Sequence, residues 1–245
     1  MRYFLATMIF VQLAGGGLFH QAGAQEIRVE QPSVQKIAAG LAEMNSRRNA
    51  ALTAYESRRL MTVAYQGPLS EGEATESVVM AFTAPASKQF TILLATGPQL
   101  IRDSVFQRAI NAETAAATEG ARRASELNLQ NYTMQLVGRE HLSLGDCYVL
   151  EVVPRTASEF TYVGKVWVQA TDFAVVRIQG KPAVNPSPWI SEGTFTSEFQ
   201  KVGDFYFPAT TVSTSNLPLG MRARLTIQYS SYRILSAKPV PSGGQ

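Results

Sequence analysis

The chain has 245 residues, with 22 Lys and Arg against 19 Asp and Glu, and a formal charge of +3 at pH 7. The basic residues form no dense run, and a nucleic-acid-binding face needs clustered Lys and Arg, so that class of function is not favoured. The chain is long enough for one sizeable core, and its two His cannot supply a multi-His metal site. Its one Cys cannot form an internal disulfide.

The amino terminus has the three parts of a cleavable export signal. Arg2 supplies a positive charge, residues 3–13 form a short apolar run, and residues 22–24 (Ala-Gly-Ala) form a small-residue cleavage site. A membrane anchor is the alternative, but a spanning helix needs about 20 apolar residues and this run is shorter. The only Cys, Cys147, is far from the cleavage point, so no lipid attachment is expected there. We expect cleavage after Ala24 and release into the periplasm.

An amphipathic helix is predicted at the start of the mature chain. Pro32-Ser33 is suited to the first turn of a helix, and Arg47-Arg48-Asn49 is expected to end it. The apolar residues between them recur at helical spacing and form one stripe, namely Val34, Ile37, Ala38, Leu41 and Met44.

Three strands are predicted next, at residues 59–66, 76–84 and 88–96. Apolar side chains alternate with polar ones along each, which indicates an antiparallel sheet with one face in water. The apolar faces are expected to consist of Met61, Val63 and Tyr65, then Val78, Met80 and Phe82, then Phe90, Ile92 and Leu94.

Residues 104–129 interrupt the strands with a predicted helix or pair of helices. The segment is rich in Ala, Glu, Arg and Gln, which favour helices, and its large apolar residues are few: Phe106, Ile110, Leu127 and Leu129. Such a thin apolar stripe is typical of a weakly held cover.

Strands resume after the helical segment and continue almost to the end. They are predicted at residues 132–139, 147–154, 162–170, 174–180, 193–202, 205–215 and 223–234. The pattern predicts an α+β fold, a single strongly curved antiparallel sheet of about ten strands forming an incomplete β-barrel, with helices covering the concave apolar face. Residues 25–238 are expected to form this one domain, and residues 239–245 a flexible tail. The apolar face is either an ordinary filled core or, in part, a ligand cavity.

Residues that would support catalysis are sparse. His141, Ser143 and Asp146 lie close together in one loop-like stretch, but a catalytic triad needs a specific three-dimensional arrangement that near neighbours in sequence seldom provide. A hydrolase using Ser143 and His141 is therefore the less favoured alternative. We expect no enzyme activity, no catalytic residues, no metal and no cofactor.

Three stretches of strand pattern resemble a known family. They are Cys147-Tyr-Val-Leu-Glu-Val-Val-Pro-Arg155, the hairpin from Gly164-Lys-Val-Trp-Val-Gln-Ala170 to Phe173-Ala-Val-Val-Arg-Ile178, and Gly203-Asp-Phe-Tyr-Phe-Pro-Ala209. With the export signal and the order of elements, they resemble the periplasmic carrier and receptor superfamily of outer-membrane lipoprotein sorting. Residues 104–129 and the loop with Pro186, Pro188 and Trp189 depart from its pattern.

The resemblance implies a half-barrel whose apolar concave face holds acyl chains beneath a movable lid. The cavity would then be lined by Met61, Val63, Met80, Phe82, Phe90, Ile92, Leu94, Leu150, Val166, Phe199 and Ile227. Arg58 and Arg59 are candidates for the family's lid-controlling arginine, although both could be surface residues. These two arginines, with Phe106 and Ile110, are the expected lid contacts.

The function that follows is a soluble, monomeric carrier of lipid or lipoprotein acyl chains, for outer-membrane lipoprotein or lipid sorting. Its partners would be an inner-membrane donor and an outer-membrane acceptor, and no nucleic acid. The alternative on the same fold is an envelope regulatory or protein-binding module.

Overall fold

The structure is a computed structural model that describes residues 31–68, 70–185 and 192–240. The predicted signal peptide, the loop residues Pro186, Pro188 and Trp189, and residues 241–245 lie outside the described residues. The described residues from Pro32 onward belong to one compact unit. Val240, in the segment predicted to be a tail, packs against the cluster around Ala51 and Phe205.

Helix α1 (Val34–Ala51) begins where the sequence predicts. Ser33 caps it, because its hydroxyl accepts a hydrogen bond from the backbone nitrogen of Lys36 at 3.2 Å. The helix continues past the predicted end at residues 47–49 and passes directly into the first strand at Leu52. Arg48 does not end the helix. Its side chain lies on the same helical face as the buried Leu41 and is itself buried.

The ten strands form one antiparallel sheet in the order β3-β2-β1-β10-β9-β8-β7-β6-β5-β4, with β3 and β4 at its two edges. This confirms the predicted α+β class with a single open sheet. The strands are β1 (Leu52–Gln66), β2 (Glu71–Thr83), β3 (Ser87–Thr96), β4 (Tyr132–Leu142), β5 (Gly145–Pro154), β6 (Tyr162–Gln169), β7 (Val175–Pro182), β8 (Glu192–Val202), β9 (Phe205–Asn216) and β10 (Arg222–Ala237).

A bulge in the β2–β3 pair corrects one prediction. Val78 is opposite Ile92, whereas the preceding residue, Ser77, is opposite Leu94, so Leu93 is the extra residue. Because an extra residue reverses the side on which the following side chain lies, Leu94 is on the other face from Phe90 and Ile92. The prediction that these three side chains share one face is therefore wrong for Leu94, which is 64% exposed.

The helical insertion follows β3 and has two parts. An α-helical turn α2 (Gln99–Ile101), a π-helical turn (Arg102–Phe106) and helix α3 (Gln107–Ala116) run in succession, and we call residues 99–116 the cover helix. Helix α4 (Glu119–Ser125) follows, and a turn held by Asn128 and Asn131 leads into β4. No helix among the described residues is both long enough and apolar enough to cross a bilayer.

Two hydrophobic clusters join the helices to the concave face of the sheet. Helix α1 packs on β4, β5 and β6 through Ile37, Ala38 and Leu41. The cover helix packs on β1, β2 and β10 through Phe106, which is completely buried against the cluster of Met61, Val63, Ala74 and Val78. The two helices therefore cover opposite ends of the sheet.

The packing of β6 against β7 generates a prediction. Gly164 is opposite Gly180, and a Cβ atom at Gly164 would lie 2.1 Å from the carbonyl oxygen of Gln179. We expect Gly164→Ala to lower the free energy of unfolding by about 1–3 kcal/mol, because the strands must separate to accept the methyl group.

Urea unfolding followed by circular dichroism measures this effect. Gly138→Ala in β4 is the matched control, because nothing lies within 4 Å of a Cβ at that position. Its effect should stay within about 0.5 kcal/mol, and equal losses in the two variants would contradict the expected clash.

Candidate functional site

A cavity of about 380 Å³ lies between the C-terminal half of α1 and strands β6 to β9. Small-molecule sites commonly enclose about 300–1,000 Å³, so this cavity is at the lower end of that range. Its lining is polar on the helical side and largely apolar or aromatic on the sheet side. The lining residues are Asn45, Arg48, Asn49, Leu52, Ser125, Leu127, Phe160, Tyr162, Ala174, Val175, Ile178, Phe199, Phe205, Tyr206 and Phe207.

The cavity is present because the middle of the concave face is incompletely covered. Strand β8 is an interior strand of the sheet, yet none of its residues from Glu192 to Val202 is buried. Interior strands of a sheet with a filled core normally carry fully buried apolar residues. The helices bury the two ends of the sheet and leave its centre available to a ligand.

Aromatic contacts fix the sheet side of the cavity. The ring of Phe207 stacks on that of Tyr232, with ring centroids 4.6 Å apart. Its centroid also lies 4.8 Å from that of the Tyr55 ring. The ring of Tyr162 lies 5.7 Å from that of Phe195 in an edge-to-face arrangement. Such pairs are rigid, so the apolar wall is formed before any ligand binds.

Arg48 places a positive charge in the helical wall. Its side chain is only 8% exposed, its Nη2 donates to the backbone carbonyl of Asp172 at 2.8 Å, and its guanidinium lies 5.0 Å from the ring centroid of Tyr206. Its Nε and Nη1 have no hydrogen-bond partner among the described residues. Burial lowers the pKa of Arg48, and the nearby Tyr206, Asp172 and Asp204 oppose that shift.

The carboxylate of Asp172 is engaged elsewhere. It accepts hydrogen bonds from Lys201 Nζ at 2.6 Å and from the Tyr206 hydroxyl at 2.5 Å. Burial would raise the pKa of Asp172, but these two hydrogen bonds outweigh it and lower the pKa. Arg48 therefore hydrogen-bonds Asp172 through the backbone carbonyl, while its charge also interacts with the Asp172 carboxylate without a direct ion pair.

A second ion cluster joins the cover helix to the sheet. Arg59 in β1 is 6% exposed, and its two terminal nitrogens bind the two carboxylate oxygens of Glu113 in α3, one at 2.9 Å. Lys88 in β3 donates to the same carboxylate at 2.6 Å. The rings of Phe90 and Tyr229 flank the Arg59 guanidinium at 5.2 and 5.0 Å. We call Arg59, Glu113 and Lys88 the Glu113 cluster.

The Glu113 cluster strongly favours the ionised carboxylate. Burial would raise the pKa of Glu113, but hydrogen bonds from Arg59 and the charges of Lys88 and Arg59 outweigh it and lower the pKa to about 2. Bidentate guanidinium–carboxylate pairs are among the stronger polar contacts in proteins. The cluster therefore fixes the cover helix to β1 and β3 across the concave face.

The structure separates the predicted cavity residues into three groups. Most are covered by the helices: Met61, Val63, Phe90 and Ile227 belong to the cluster under the cover helix, Leu150 and Val166 to the cluster under α1, and Met80 is completely buried. Phe82 contacts Tyr55, while Ile92 and Leu94 are 51% and 64% exposed. Phe199 is the member of the predicted set that lines the cavity described here.

The predicted lid contacts are divided between two faces. Arg59 binds the cover helix, Phe106 and Ile110 pack on the same end of the sheet, and Arg58 is exposed on the opposite face of β1.

Sequence reasoning missed Arg48 and Glu113. Both continue an apolar stripe at helical spacing, since Arg48 follows Leu41 by seven positions and Glu113 follows Phe106 by seven. A charged residue in register with a buried stripe is the signal that could have identified them.

The predicted catalytic stretch lies away from the cavity. His141 and Asp146 pair across the β4–β5 hairpin at 2.7 Å, with 77% and 75% of their side chains exposed, and Ser143 is exposed in the turn. The described residues also contain no group of three or more His, Cys, Asp or Glu side chains placed to hold a metal ion.

Comparison with solved structures finds likenesses over most of the chain. A putative outer-membrane lipoprotein-sorting domain from Vibrio parahaemolyticus matches at 11% identity and a TM-score of 0.41, over 83% of this chain and 94% of that one. A DUF1329 family protein from Desulfovibrio piger matches at 12% identity and a TM-score of 0.43, over 84% of this chain and 94% of that one. A LolA superfamily protein from Nitrosomonas europaea matches at 13% identity and a TM-score of 0.35, over 82% of this chain and 94% of that one.

No family model and no curated protein matches the sequence. The structural likenesses concern the path of the chain alone at these identities and TM-scores. The functional assignment therefore rests on the chain's own residues.

The two arginines of β1 allow a matched test of the Glu113 cluster. We expect Arg59→Met to lower the free energy of unfolding by about 3 kcal/mol, because it removes one partner of a buried ion pair. Arg58→Met, an exposed change one residue away, should alter it by no more than about 0.5 kcal/mol.

Hydrogen exchange locates the effect of Arg59→Met. Amides of residues 99–116 should exchange faster than in the wild type, while those of β5 and β6 should not change. Equal stability losses in the Arg58 and Arg59 variants would show that the cluster does not hold the cover helix.

The lowered pKa of Glu113 predicts a pH dependence. An acid whose pKa is lower in the folded than in the unfolded state adds stability above its unfolded pKa, and that stability is lost as the pH falls through the folded value. We expect Glu113→Gln to cost about 2–3 kcal/mol at pH 7, and the difference from the wild type to shrink from about pH 4.5 to about pH 2. Urea unfolding of both proteins across this pH range measures the difference in their free energies of unfolding. A difference that does not change with pH would contradict the prediction.

Proposed function

We propose that the protein is an exported carrier that binds an acyl chain in the cavity between α1 and strands β6 to β9. The observation that supports this is a cavity of about 380 Å³ on the concave face, with an aromatic and aliphatic wall on its sheet side. The ligand would be a lipid or the acyl part of a lipoprotein. The export signal predicted at the amino terminus gives the periplasm as its location, between an inner-membrane donor and an outer-membrane acceptor.

Burial of methylene groups would drive binding. Each buried methylene contributes about 0.8 kcal/mol, so a chain of about ten gains about 8 kcal/mol. Loss of translational and rotational freedom opposes this gain by several kcal/mol, so micromolar or weaker affinity is expected. An affinity of this size suits a carrier, which must release its ligand as well as bind it.

The Glu113 cluster supports a second part of the proposal, that the cover helix acts as a lid. Beneath that helix lie Met61 and Val63, which are 2% exposed. Movement of the helix would break the contacts of Arg59 and Lys88 with Glu113 and uncover this end of the sheet. Arg59 is thus the lid-contacting arginine of the proposal, and Phe106 and Ile110 are the apolar contacts that re-form on closure.

One observation favours a protein-binding module as the second candidate function. At the β3 edge of the sheet, Ile92, Leu93 and Leu94 are 51%, 52% and 64% exposed, and Leu100 on α2 is 77% exposed. Edge strands with exposed apolar residues can accept a further strand from another chain. A Leu93→Asp variant would lose a protein partner bound there and keep acyl binding.

The carrier proposal predicts that filling the cavity prevents binding. We expect Ile178→Trp to weaken the binding of a fluorescent fatty acid by about tenfold or more, because the larger side chain displaces ligand from the wall. The control is Val153→Trp in β5, where the wild-type side chain is 48% exposed and does not line the cavity. Titration by fluorescence, with circular dichroism to check folding, measures the affinities.

Native mass spectrometry of protein purified from its own envelope provides an independent test. A bound species with the mass of a lipid would support the proposal. A ligand-free protein that also fails to bind fluorescent fatty acids would overturn it.

A further inference from the structure

Arg48 is a buried cation without a direct ion pair, although Asp172 and Asp204 lie close enough to favour its charged form. No Asp or Glu among the described residues forms an ion pair with it, and two of its three guanidinium nitrogens lack a hydrogen-bond partner there. An unpaired charge in a protein interior is costly unless something compensates for it. The other deeply buried guanidinium on the concave face, that of Arg59, forms an ion pair with Glu113 through both terminal nitrogens, although its Nε also lacks a partner among the described residues.

The position of Arg48 in the last turn of α1 explains why a positive charge is tolerated there, but not why it is left unpaired. The C-terminus of a helix carries a partial negative charge that favours cations. The side chain contacts the carbonyl of Asp172 in the β6–β7 turn and lines the cavity. Its Nε and Nη1 are buried and have no hydrogen-bond partner among the described residues.

The chemistry of the lining changes sharply next to Arg48. Asn45 and Asn49, one turn before it and one residue after it, also line the cavity and can donate hydrogen bonds through their amides. Across from them, the wall consists of Phe199, Phe205 and other apolar or aromatic side chains. A cavity with a cationic, donor-rich side and an apolar side is complementary to an amphiphile with an anionic head.

We infer that Arg48 binds the anionic headgroup, a carboxylate or a phosphate, of a single-chain amphiphile whose tail lies against the aromatic wall. The inference rests on the proposed function, because it requires the cavity to accept an acyl chain. The volume of about 380 Å³ is at the lower end of the small-molecule range, which favours a ligand with one acyl chain over a lipid with several. The guanidinium suits either headgroup because its planar donors match their paired oxygens.

Three probes with the same tail and different heads test the inference: dodecanoate, dodecyl phosphate and 1-dodecanol. Each is titrated against a fluorescent apolar reporter bound to the full chain. The wild type should bind at least one of the two anions about tenfold to a hundredfold more tightly than the alcohol, because only an anion forms an ion pair with the guanidinium. The anion that binds more tightly identifies the headgroup.

Arg48→Met tests whether this residue is responsible. It should remove the preference for the anions and leave the affinity for 1-dodecanol within about twofold, since the apolar wall is unchanged. Arg47→Met is the matched control, because the neighbouring guanidinium binds Glu43 and does not line the cavity, and it should keep the preference. At about 1 M salt the wild-type preference should persist, since buried charges are screened much less than surface ones.

The outcomes separate this inference from the proposed function. Equal binding of the alcohol and both anions by the wild type would overturn the headgroup assignment and leave acyl binding intact. A preference that survives in Arg48→Met would overturn the role of Arg48. Failure of all three probes to bind would overturn both. The comparison of probes on the wild type decides the headgroup question even if Arg48→Met does not fold.

Discussion

The structure depends on one constraint, which is that the apolar face of a ten-stranded sheet is covered mainly by α1 and the cover helix. Apolar surface left in water costs about 25 cal/mol per Å², so each helix must be placed where it buries most. Helix α1 buries its stripe on β4 to β6 and the cover helix on β1, β2 and β10. The interior strands β8 and β9 receive less cover, and the cavity follows from that shortage rather than from any special arrangement of the strands.

Two buried arginines mark the two sides of this concave face and differ in how their charge is compensated. Arg59 is enclosed by Glu113, Lys88 and two aromatic rings, all from elements that the chain itself supplies. A buried ion pair of this kind adds little net stability compared with apolar side chains of similar size. In the proposed lid motion, these polar contacts would hold the cover helix closed, and water would replace them on opening. Arg48 lacks an equivalent acid and leaves that role to a ligand.

The sequence predicted the fold from its two periodicities. Alternation by two positions identified ten strands in order, and the stripe from Val34 to Met44 identified α1. The family resemblance implied that Arg58 or Arg59 would contact the lid, but strand alternation alone could not show which arginine points inward. Only the strand register, with Arg59 between Val78 and Tyr229, shows which of the two is buried.

The cavity was harder to predict for three physical reasons. A strand pattern shows which side chains share a face but not how far a helix extends across it, so Met61 and Leu150 were expected to line a space that helices fill. A single extra residue at Leu93 reversed the side of Leu94. Arg48 was taken as part of the helix end and Glu113 was not singled out, although both stand in register with buried apolar residues.

The sizes of the cavity and of the covered face together limit what the closed protein can carry. About 380 Å³ accommodates one chain beside Arg48, whereas the surface under the cover helix is occupied by Phe106. A ligand with more than one acyl chain would therefore need that surface, and reaching it requires the Glu113 cluster to separate. The two ion sites then have distinct consequences: Arg48 affects which headgroup is bound in the closed state, and Arg59 affects how readily the site enlarges. Because they lie on different strands and helices with no shared partner, substitutions at the two sites should act almost additively on stability while changing different properties of binding.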